Sequence, residues 1–370
     1  MPAQAGPQPR WPAESKCPAE PDLVRVVLAP DKFRGSLSAA QAADAMAVAV
    51  ERRGWDAVRV PMSDGGEGFL HVLGGPNRTT TVTGPLGDPV EAKWRFVRRR
   101  AVLEMAEAAG LEIAGGAEAN DPLSADTTGV GELIGAALDA GARSITIGMG
   151  GSATTDGGLG ALRALGPVPR LAGVRMEVAC DVRFRFVEAA SRFAGQKGAS
   201  PAQVQLLSRR LDALVELYVE TYGVDVSELV GSGAAGGLAG GLAALGANLC
   251  EGFEVVADHL GLESLIEEAD LVVTGEGLCD TASFDGKVVG GVAELSSSLE
   301  TPVVAVVGEL DPAVSLPEGL PVVSLLDEVG PEESFGHAAV SVTAATDAVL
   351  GRWLEGRELR DGAVGRIRRR

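Results

Sequence analysis

The hydrophobic and polar positions along the chain predict an α/β protein whose two ends follow the same plan. Near the amino terminus, the apolar run Leu23 to Ala29 predicts a strand buried on both faces. A helix from Ser36 to about Arg53 and a strand from Asp56 to Pro61 follow. After residue 252 the alternation of strands and helices resumes. The predicted strands are Leu271–Thr274, Val303–Val307 and Val322–Leu326, and the predicted helices are Val288–Leu299 and Gly336–Trp353.

The middle of the chain has a different pattern. Short alternating segments at 79–83, 90–97 and 101–105 predict antiparallel strands. Predicted helices Gly129–Ala140 and Pro201–Tyr222 and a strand Val174–Cys180 follow them.

Because only the two ends share one plan, we predict a doubly wound, mostly parallel sheet domain interrupted by an inserted smaller α/β domain. The first domain takes residues 23–78 plus 252–355, and the second takes residues 79–251. Residues 1–22, rich in Pro, Ala and Gln, are predicted to be a disordered tail, and residues 356–370 a charged tail.

Composition narrows the class of partner. A formal charge of −19 argues against a nucleic-acid or anionic-membrane surface, so an anionic ligand would need local cations. The four cysteines lie far apart, which favours neither a zinc site nor a disulfide framework. Without an 18-residue apolar run or a signal-peptide core, we expect a reduced, cytoplasmic protein. If the protein forms an oligomer, we expect a homodimer.

The stretch from 144 to 166 predicts a short β-branched strand, a polar glycine loop and a helix. Such a layout suits an anion, because glycines such as Gly150 and Gly151 bring backbone N–H groups close to a ligand. Ser152 and Thr155 add hydroxyl groups. The alternative is an ordinary strand-to-helix turn, in which Asp156 only caps the helix.

Three other loops, 30–36, 62–68 and 275–287, also combine glycine with carboxylates and with lysine or hydroxyl groups. The chain has 32 basic residues, of which only five are lysine, and Lys32, Lys197 and Lys287 fall in polar glycine-rich loops. Carboxylates, lysines and open N–H groups are what phosphoryl transfer needs. Two formal dinucleotide-binding glycine patterns, beginning at Gly148 and Gly231, lack the strand or acidic residue that would support them.

Eight stretches in order resemble the type I glycerate kinases. They are Ala29-Pro-Asp-Lys-Phe-Arg-Gly-Ser-Leu-Ser-Ala, Asp64-Gly-Gly-Glu-Gly, Gly129-Val-Gly-Glu-Leu-Ile, Thr155-Asp-Gly-Gly-Leu-Gly, Val178-Ala-Cys-Asp-Val, Gly195-Gln-Lys-Gly-Ala, Gly233-Ala-Ala-Gly-Gly and Thr274-Gly-Glu-Gly. The resemblance implies transfer of a phosphoryl group from ATP to a hydroxyl of D-glycerate, with Mg²⁺, giving 2- or 3-phosphoglycerate. It also implies a flavodoxin-like domain from both chain ends, with the active site in the cleft between the domains.

The resemblance also suggests residue roles. We expect Lys32, Arg34 and Ser36 to bind anionic oxygens, including the glycerate carboxylate. Asp64 or Asp156 would accept the hydroxyl proton, unless either acid is only a helix cap. The predicted metal ligands are Glu67, Asp181 and Glu276, and the predicted ATP-binding residues are Gly150, Gly151, Ser152, Thr155, Lys197 and Lys287.

The chain departs from the family in the 275–287 loop, where Leu278, Ala282, Ser283 and Asp285 replace the usual Arg, Gln, Thr and His. These changes are expected to lower the local positive potential. The segment between Gly166 and Glu177 is also short, and Arg183-Phe-Arg replaces Asn-Pro-Leu. A kinase for another small hydroxy acid, or a non-catalytic relative that binds an organic anion or a nucleotide, therefore stay as alternatives.

Overall fold

The computed structural model describes residues 24–166 and 171–367, which form two β-sheets covered by helices. The strands are β1 (Arg25–Pro30), β2 (Asp56–Arg59), β3 (Arg78–Thr83), β4 (Pro89–Val97), β5 (Arg100–Glu104), β6 (Ser144–Gly148), β7 (Arg175–Cys180), β8 (Asn248–Glu251), β9 (Leu271–Cys279), β10 (Val303–Leu310) and β11 (Val322–Ser324). The predicted tail of residues 1–22 lies outside the described residues.

The helices are α1 (Ala39–Arg52), α2 (Phe69–Val72), α3 (Ala106–Ala109), α4 (Thr128–Asp139), α5 (Leu159–Leu165), α6 (Pro201–Tyr222), α7 (Leu238–Ala244), α8 (Gly252–Leu260), α9 (Leu262–Glu267), α10 (Val288–Ser298), α11 (Leu325–Gly336) and α12 (Ala338–Ile367). Helix α11 is broken at Gly330, whose φ is +79°. Helix α12 continues past the predicted end at Trp353. No helix in the described part of the chain is long and apolar enough to span a membrane.

The first sheet has the order β11-β10-β9-β1-β2 and is parallel throughout. Numbered by chain order within the sheet, this is 2-1-3-4-5, the flavodoxin-like order. Val26 and Leu28 of β1 pack with α1 and α12, whereas Val27 and Ala29 pack with α8 and α10 on the other face. Both faces of β1 are therefore buried, as the continuous apolar run predicts.

The second sheet has the order β3-β4-β5-β6-β7-β8. The first two pairs are antiparallel, as the alternating segments predict, and the remaining pairs are parallel. Its core is shared with α4, α5 and α7, while α6 packs through residues such as Leu211 and Tyr218. Helix α6 begins with a capping box between Ser200 and Gln203 and ends at Gly223, whose φ is +73°.

The two sheets meet in one shared hydrophobic cluster. Val102 and Ala179 of the second sheet pack in the same cluster as Val27 and Ala29 of the first. The strands of the second sheet fall between residues 78 and 251, and the first sheet takes its strands from both sides of that segment. The domain boundaries drawn from the sequence stay a prediction.

Strand β9 is longer than its apolar run suggests. Gly275 and Glu276 continue the parallel pairing, opposite Val306 and Val307 of β10. A Cβ atom on Gly275 would lie 2.0 Å from the Val306 carbonyl oxygen, so glycine permits this close approach. The first residues of the predicted 275–287 loop are therefore strand, and their side chains have fixed directions.

Candidate active site

The carboxyl ends of neighbouring strands in the first sheet bring predicted site residues together. Lys32 lies two residues beyond the end of β1. The pairing of β2 with β1 extends beyond the strand, since the Met62 N–H donates to the Pro30 carbonyl at 2.9 Å. Loop 63–68, which contains Asp64, therefore starts beside Lys32.

Two lysines approach the Asp64 carboxylate. Lys287 Nζ lies 4.0 Å from Asp64 Oδ2, and the Gly66 N–H donates to Asp64 Oδ1 at 3.1 Å. A Cβ atom on Gly66 would lie 2.8 Å from Asp64 Oδ1 and 3.7 Å from Lys32 Nζ, so the missing side chain leaves room for both groups. Burial acts to lower the pKa of Lys32, but the Asp31 and Asp64 carboxylates outweigh it and the pKa is raised. Lys32 is therefore a stable cation.

Two further carboxylates complete the group. Asp31 and Glu276 are only 6% and 8% exposed. Burial raises the pKa of Asp31 to about 6 and that of Glu276 to about 7. In the described part of the chain, Glu276 Oε1 has no hydrogen-bond partner. We call this group the acid–lysine cluster: Asp31, Lys32, Asp64, Glu276 and Lys287.

Asp181, the residue after β7, faces the cluster from the second sheet. Burial, and then the Asp64 charge, raise the pKa of Asp181 to about 6, while Lys287 and Lys197 act in the opposite direction. The cluster and Asp181 thus lie where the carboxyl edges of the two sheets meet, a region that we call the crevice. This is also where the first sheet reverses its order between β1 and β9, the usual ligand position in such sheets.

The three predicted metal ligands do not form one ligand set. Glu67 is exposed, Asp181 follows β7 and Glu276 is buried within β9. Among residues 24–166 and 171–367, no three His, Cys, Asp or Glu side chains come close enough together to hold a metal ion. Any metal here would need ligands from the substrates as well.

Lys197 is buried beneath the glycine loop, with 5% of its surface exposed. Its Nζ donates to the Ser152 hydroxyl and to the Thr154 carbonyl, both at 2.7 Å. Burial lowers the pKa of Lys197 to about 8. The neighbouring Thr155 hydroxyl is buried and has no hydrogen-bond partner among the described residues. Lys197 therefore supports the 152–155 segment from the inside.

Asp156 has the geometry of a helix cap. One oxygen, Oδ2, accepts hydrogen bonds from the Thr127 N–H at 3.0 Å, the Thr127 hydroxyl at 2.7 Å and the Gly160 N–H at 3.0 Å. The other oxygen accepts from the Gly158 N–H at 3.1 Å. Burial raises the pKa of Asp156, although these donors oppose the change. The carboxylate ties the start of α5 to the start of α4.

The glycines of the central loop allow close contacts between backbone segments. The Gly150 N–H donates to the Gly65 carbonyl at 3.2 Å, and the Gly157 N–H donates to the Gly236 carbonyl at 3.1 Å. A Cβ atom on Gly150 would lie 2.3 Å from the Gly66 Cα. The loop consequently offers fewer open N–H groups than the predicted anion-binding layout.

Several predicted residues lie at the rim of the crevice and are exposed: Arg34, Ser36, Glu67 and Gly151. Arg34 and Glu67 both act electrostatically on Lys32. The Ser36 hydroxyl donates to the Phe33 carbonyl at 3.0 Å. Their roles in substrate binding stay predictions.

Sequence reasoning gave no role to two carboxylates that the structure brings to the site. Asp31 occupies the same strand end as Lys32, so the argument that selected Lys32 could have selected it too. Glu104 ends β5 and reaches loop 63–68 from the second sheet, where it accepts from the Gly68 N–H at 3.3 Å and the Leu70 N–H at 3.0 Å. Its only sequence signal is a carboxylate that ends an apolar strand.

Asp285, expected to lower the positive potential of its loop, lies beside an arginine. Arg183 Nη1 donates to Asp285 Oδ1 at 3.0 Å. The added negative charge is therefore balanced by a second residue at which the chain departs from the family.

A groove of about 2050 Å³ lies beside the crevice and follows α10. Its lining contains no member of the acid–lysine cluster. Seven acidic residues and two arginines line it, a balance that opposes a polyphosphate. The crevice, with two lysines, is the better site for such a ligand.

Comparison with known proteins identifies the family of this chain. The sequence profile of the Glycerate kinase family matches residues 26–168 and 167–354. The chain is 38% identical to Glycerate 2-kinase of Escherichia coli (strain K12), over 87% of this chain and 96% of that protein. It is 36% identical to Glycerate kinase of Bacillus subtilis (strain 168), over 85% of this chain and 94% of that protein.

A crystal structure of a Salmonella typhimurium LT2 protein assigned as glycerate kinase 2 superposes with a TM-score of 0.77 and 34% sequence identity. The superposition covers 91% of this chain and 100% of the Salmonella chain. These matches confirm the α/β fold class and the resemblance seen in the sequence motifs. The chain belongs to the glycerate kinase family of enzymes.

Proposed function

We propose that this protein transfers the terminal phosphoryl group of ATP to a hydroxyl of glycerate in the crevice between the two sheets. The observation behind this proposal is the acid–lysine cluster, in which Lys32 and Lys287 approach Asp64 from distant parts of the chain. Phosphoryl transfer depends chiefly on positioning and on neutralising phosphate charge. Two cations beside one fixed carboxylate are suited to both.

Asp64 is the proposed acceptor of the hydroxyl proton. The Gly66 N–H orients its Oδ1, and Oδ2 lies 4.0 Å from Lys287 Nζ, within reach of a reacting group held by that lysine. Asp156, the other candidate, already accepts four hydrogen bonds and caps a helix. Its lone pairs are occupied, so Asp64 is preferred.

Mg²⁺ and ATP fit the donor set of the crevice. Mg²⁺ in kinase sites is held by one or two carboxylates together with substrate phosphates. Glu276 has a buried oxygen without a partner in the described structure, and Asp31 lies beside it, so these two would hold the ion. A bound Mg²⁺ would neutralise charge on the phosphates. Lys32 and Lys287 would bind phosphate oxygens as point charges.

The acceptor is proposed to be the 2-hydroxyl, since the Escherichia coli relative is named glycerate 2-kinase. Arg34, exposed at the rim near Lys32, and Ser36 are proposed to receive the glycerate carboxylate. Gly151, Ser152 and Thr155 remain the proposed phosphate-side residues of the central loop. For Gly150, the contact with Gly66 favours a packing role instead.

Product identification tests the proposal. Purified protein with Mg-ATP and D-glycerate should release ADP faster than with ATP alone, and phosphorus NMR should show 2-phosphoglycerate. A 3-phosphoglycerate signal would change the acceptor but keep the enzyme class. Turnover with other hydroxy acids but not with glycerate would show a shifted substrate. The absence of any acceptor-dependent ADP release would leave only the non-catalytic alternative.

A further inference from the structure

The Arg183 side chain, in the connection after β7, links the end of β8 to the 285–287 turn. Its Nη1 donates to Asp285 Oδ1 at 3.0 Å, and its Nη2 donates to the Glu251 carboxylate. Asp285 belongs to the first sheet's β9–α10 connection, whereas Glu251 ends β8 in the second sheet. One guanidinium therefore joins acids on both sides of the crevice.

The turn after Asp285 packs directly on this bridge. Gly286 has φ +78°, and a Cβ atom on it would lie 2.9 Å from Glu251 Oε2 and 3.4 Å from Arg183 Nε. The backbone at Gly286 thus rests against the Arg183–Glu251 pair. Lys287 follows immediately as the residue before α10, with its Nζ 4.0 Å from Asp64 Oδ2.

We propose that Arg183 is a positioning residue that, with Glu251, holds the 285–287 turn so that Lys287 stays directed at Asp64. This rests on the proposed function, in which Lys287 binds the transferred phosphate. The Arg183 side chain is 48% exposed, so its ion pairs contribute little to global stability. Their effect lies in placement, since a displacement of about 1 Å at a reacting group can cost roughly 10²-fold in rate.

The test compares Arg183→Ala with Arg185→Ala by steady-state kinetics and thermal melting. Arg185 is a matched control, because its side chain is similarly exposed and pairs with Glu228 rather than with the turn. Arg183→Ala should lower kcat about 10- to 100-fold, with the KM for glycerate within about twofold and the melting temperature nearly unchanged. Arg185→Ala should retain wild-type kinetics. Equal kinetics for the two variants would overturn the proposal.

Three further measurements separate positioning from a general structural effect. Asp285→Ala combined with Arg183→Ala should be no slower than Arg183→Ala alone, because both changes break one bridge. Arg183→Lys should recover part of kcat, since it keeps the charge but not the two-pronged geometry. Raising the salt concentration should slow the wild type more than Arg183→Ala. Multiplying effects in the double variant, or equal salt dependence, would contradict the bridge.

Hydrogen exchange keeps this test independent of the proposed function. Amides of residues 281–287 should exchange faster in Arg183→Ala than in the wild type, while those of residues 148–155 should not change. If the wild type fails to phosphorylate glycerate, the proposed function fails and the exchange result still decides the bridge. Unchanged exchange at 281–287 would refute the positioning role even in an active enzyme.

Discussion

The buried ammonium of Lys197 makes stability depend on pH in a way that can be measured. Lys197 is 5% exposed, and burial lowers its pKa from 10.5 to about 8. A change of one pKa unit corresponds to about 1.36 kcal/mol, so holding the charged form inside the protein costs roughly 3 kcal/mol. In the neutral form, two N–H groups still suffice for the Ser152 and Thr154 acceptors.

The direction of the effect follows from proton binding. Below pH 8, Lys197 is protonated in the folded and unfolded states, so the full cost is present and stability does not depend on this group. Between pH 8 and 10.5 the unfolded chain still binds a proton that the folded protein has lost. Stability therefore rises with pH across this window. The Lys197→Met variant lacks the group and should lack this rise.

Urea denaturation of both proteins at several pH values from 7.5 to 10 tests this reasoning. Between pH 7.5 and 10, the free energy of unfolding of the wild type should rise by roughly 2 to 3 kcal/mol relative to that of Lys197→Met. The contributions of the other titrating groups cancel in this difference. Lys93→Met, at an exposed position, controls for the loss of a positive charge and should run parallel to the wild type. Parallel curves for the wild type and Lys197→Met would show that Lys197 is not held as a destabilised cation.

Three more predictions concern single residues of the crevice and its supports. Asp64→Asn should lower kcat by about 10²- to 10⁴-fold, as expected for the base. Asp156→Asn should keep most of the activity but melt at a lower temperature, as expected for a helix cap. Steady-state kinetics and calorimetry on both variants test these two roles. Gly150→Ala should lower the free energy of unfolding, measured by urea denaturation, by more than about 3 kcal/mol, because a backbone atom lies 2.3 Å from the new Cβ. Gly195→Ala, where the new Cβ meets open space, should change the free energy of unfolding by no more than about 1 kcal/mol. Glu104→Gln should lower the free energy of unfolding by about 1–3 kcal/mol in the same assay, since it weakens the hydrogen bonds that this side chain accepts from two backbone N–H groups.

Much of the fold could be predicted because its signals are local. The Pro201–Tyr222 helix has Ser200 before it and Gly223 after it, and both ends are where the sequence places them. The end of β9 could not be predicted in this way. Its last residues are polar and glycine-rich, and they stay in the sheet only because β10, more than 20 residues further along, pairs with them.

The site could be predicted to the extent that strand ends determine it. Lys32 and Asp64 follow neighbouring parallel strands, so their approach is a consequence of topology. Whether a carboxylate is free for chemistry depends on contacts that sequence does not reveal. Asp156 is occupied by Thr127, which is 29 residues earlier in the chain, and only the folded structure distinguishes it from Asp64.

Glycine-rich loops at strand ends have two uses in this protein, and they lead to different rigidity on the two sides of the crevice. At Gly65 and Gly150 the missing side chains let the loops of the two sheets contact each other through backbone atoms, a contact that allows almost no displacement. At Gly286 the backbone instead rests on the exposed Arg183 ion pairs, which can separate at little cost. Because Lys287 belongs to this second side, its distance from Asp64 depends on exposed ion pairs rather than on backbone contacts between the sheets.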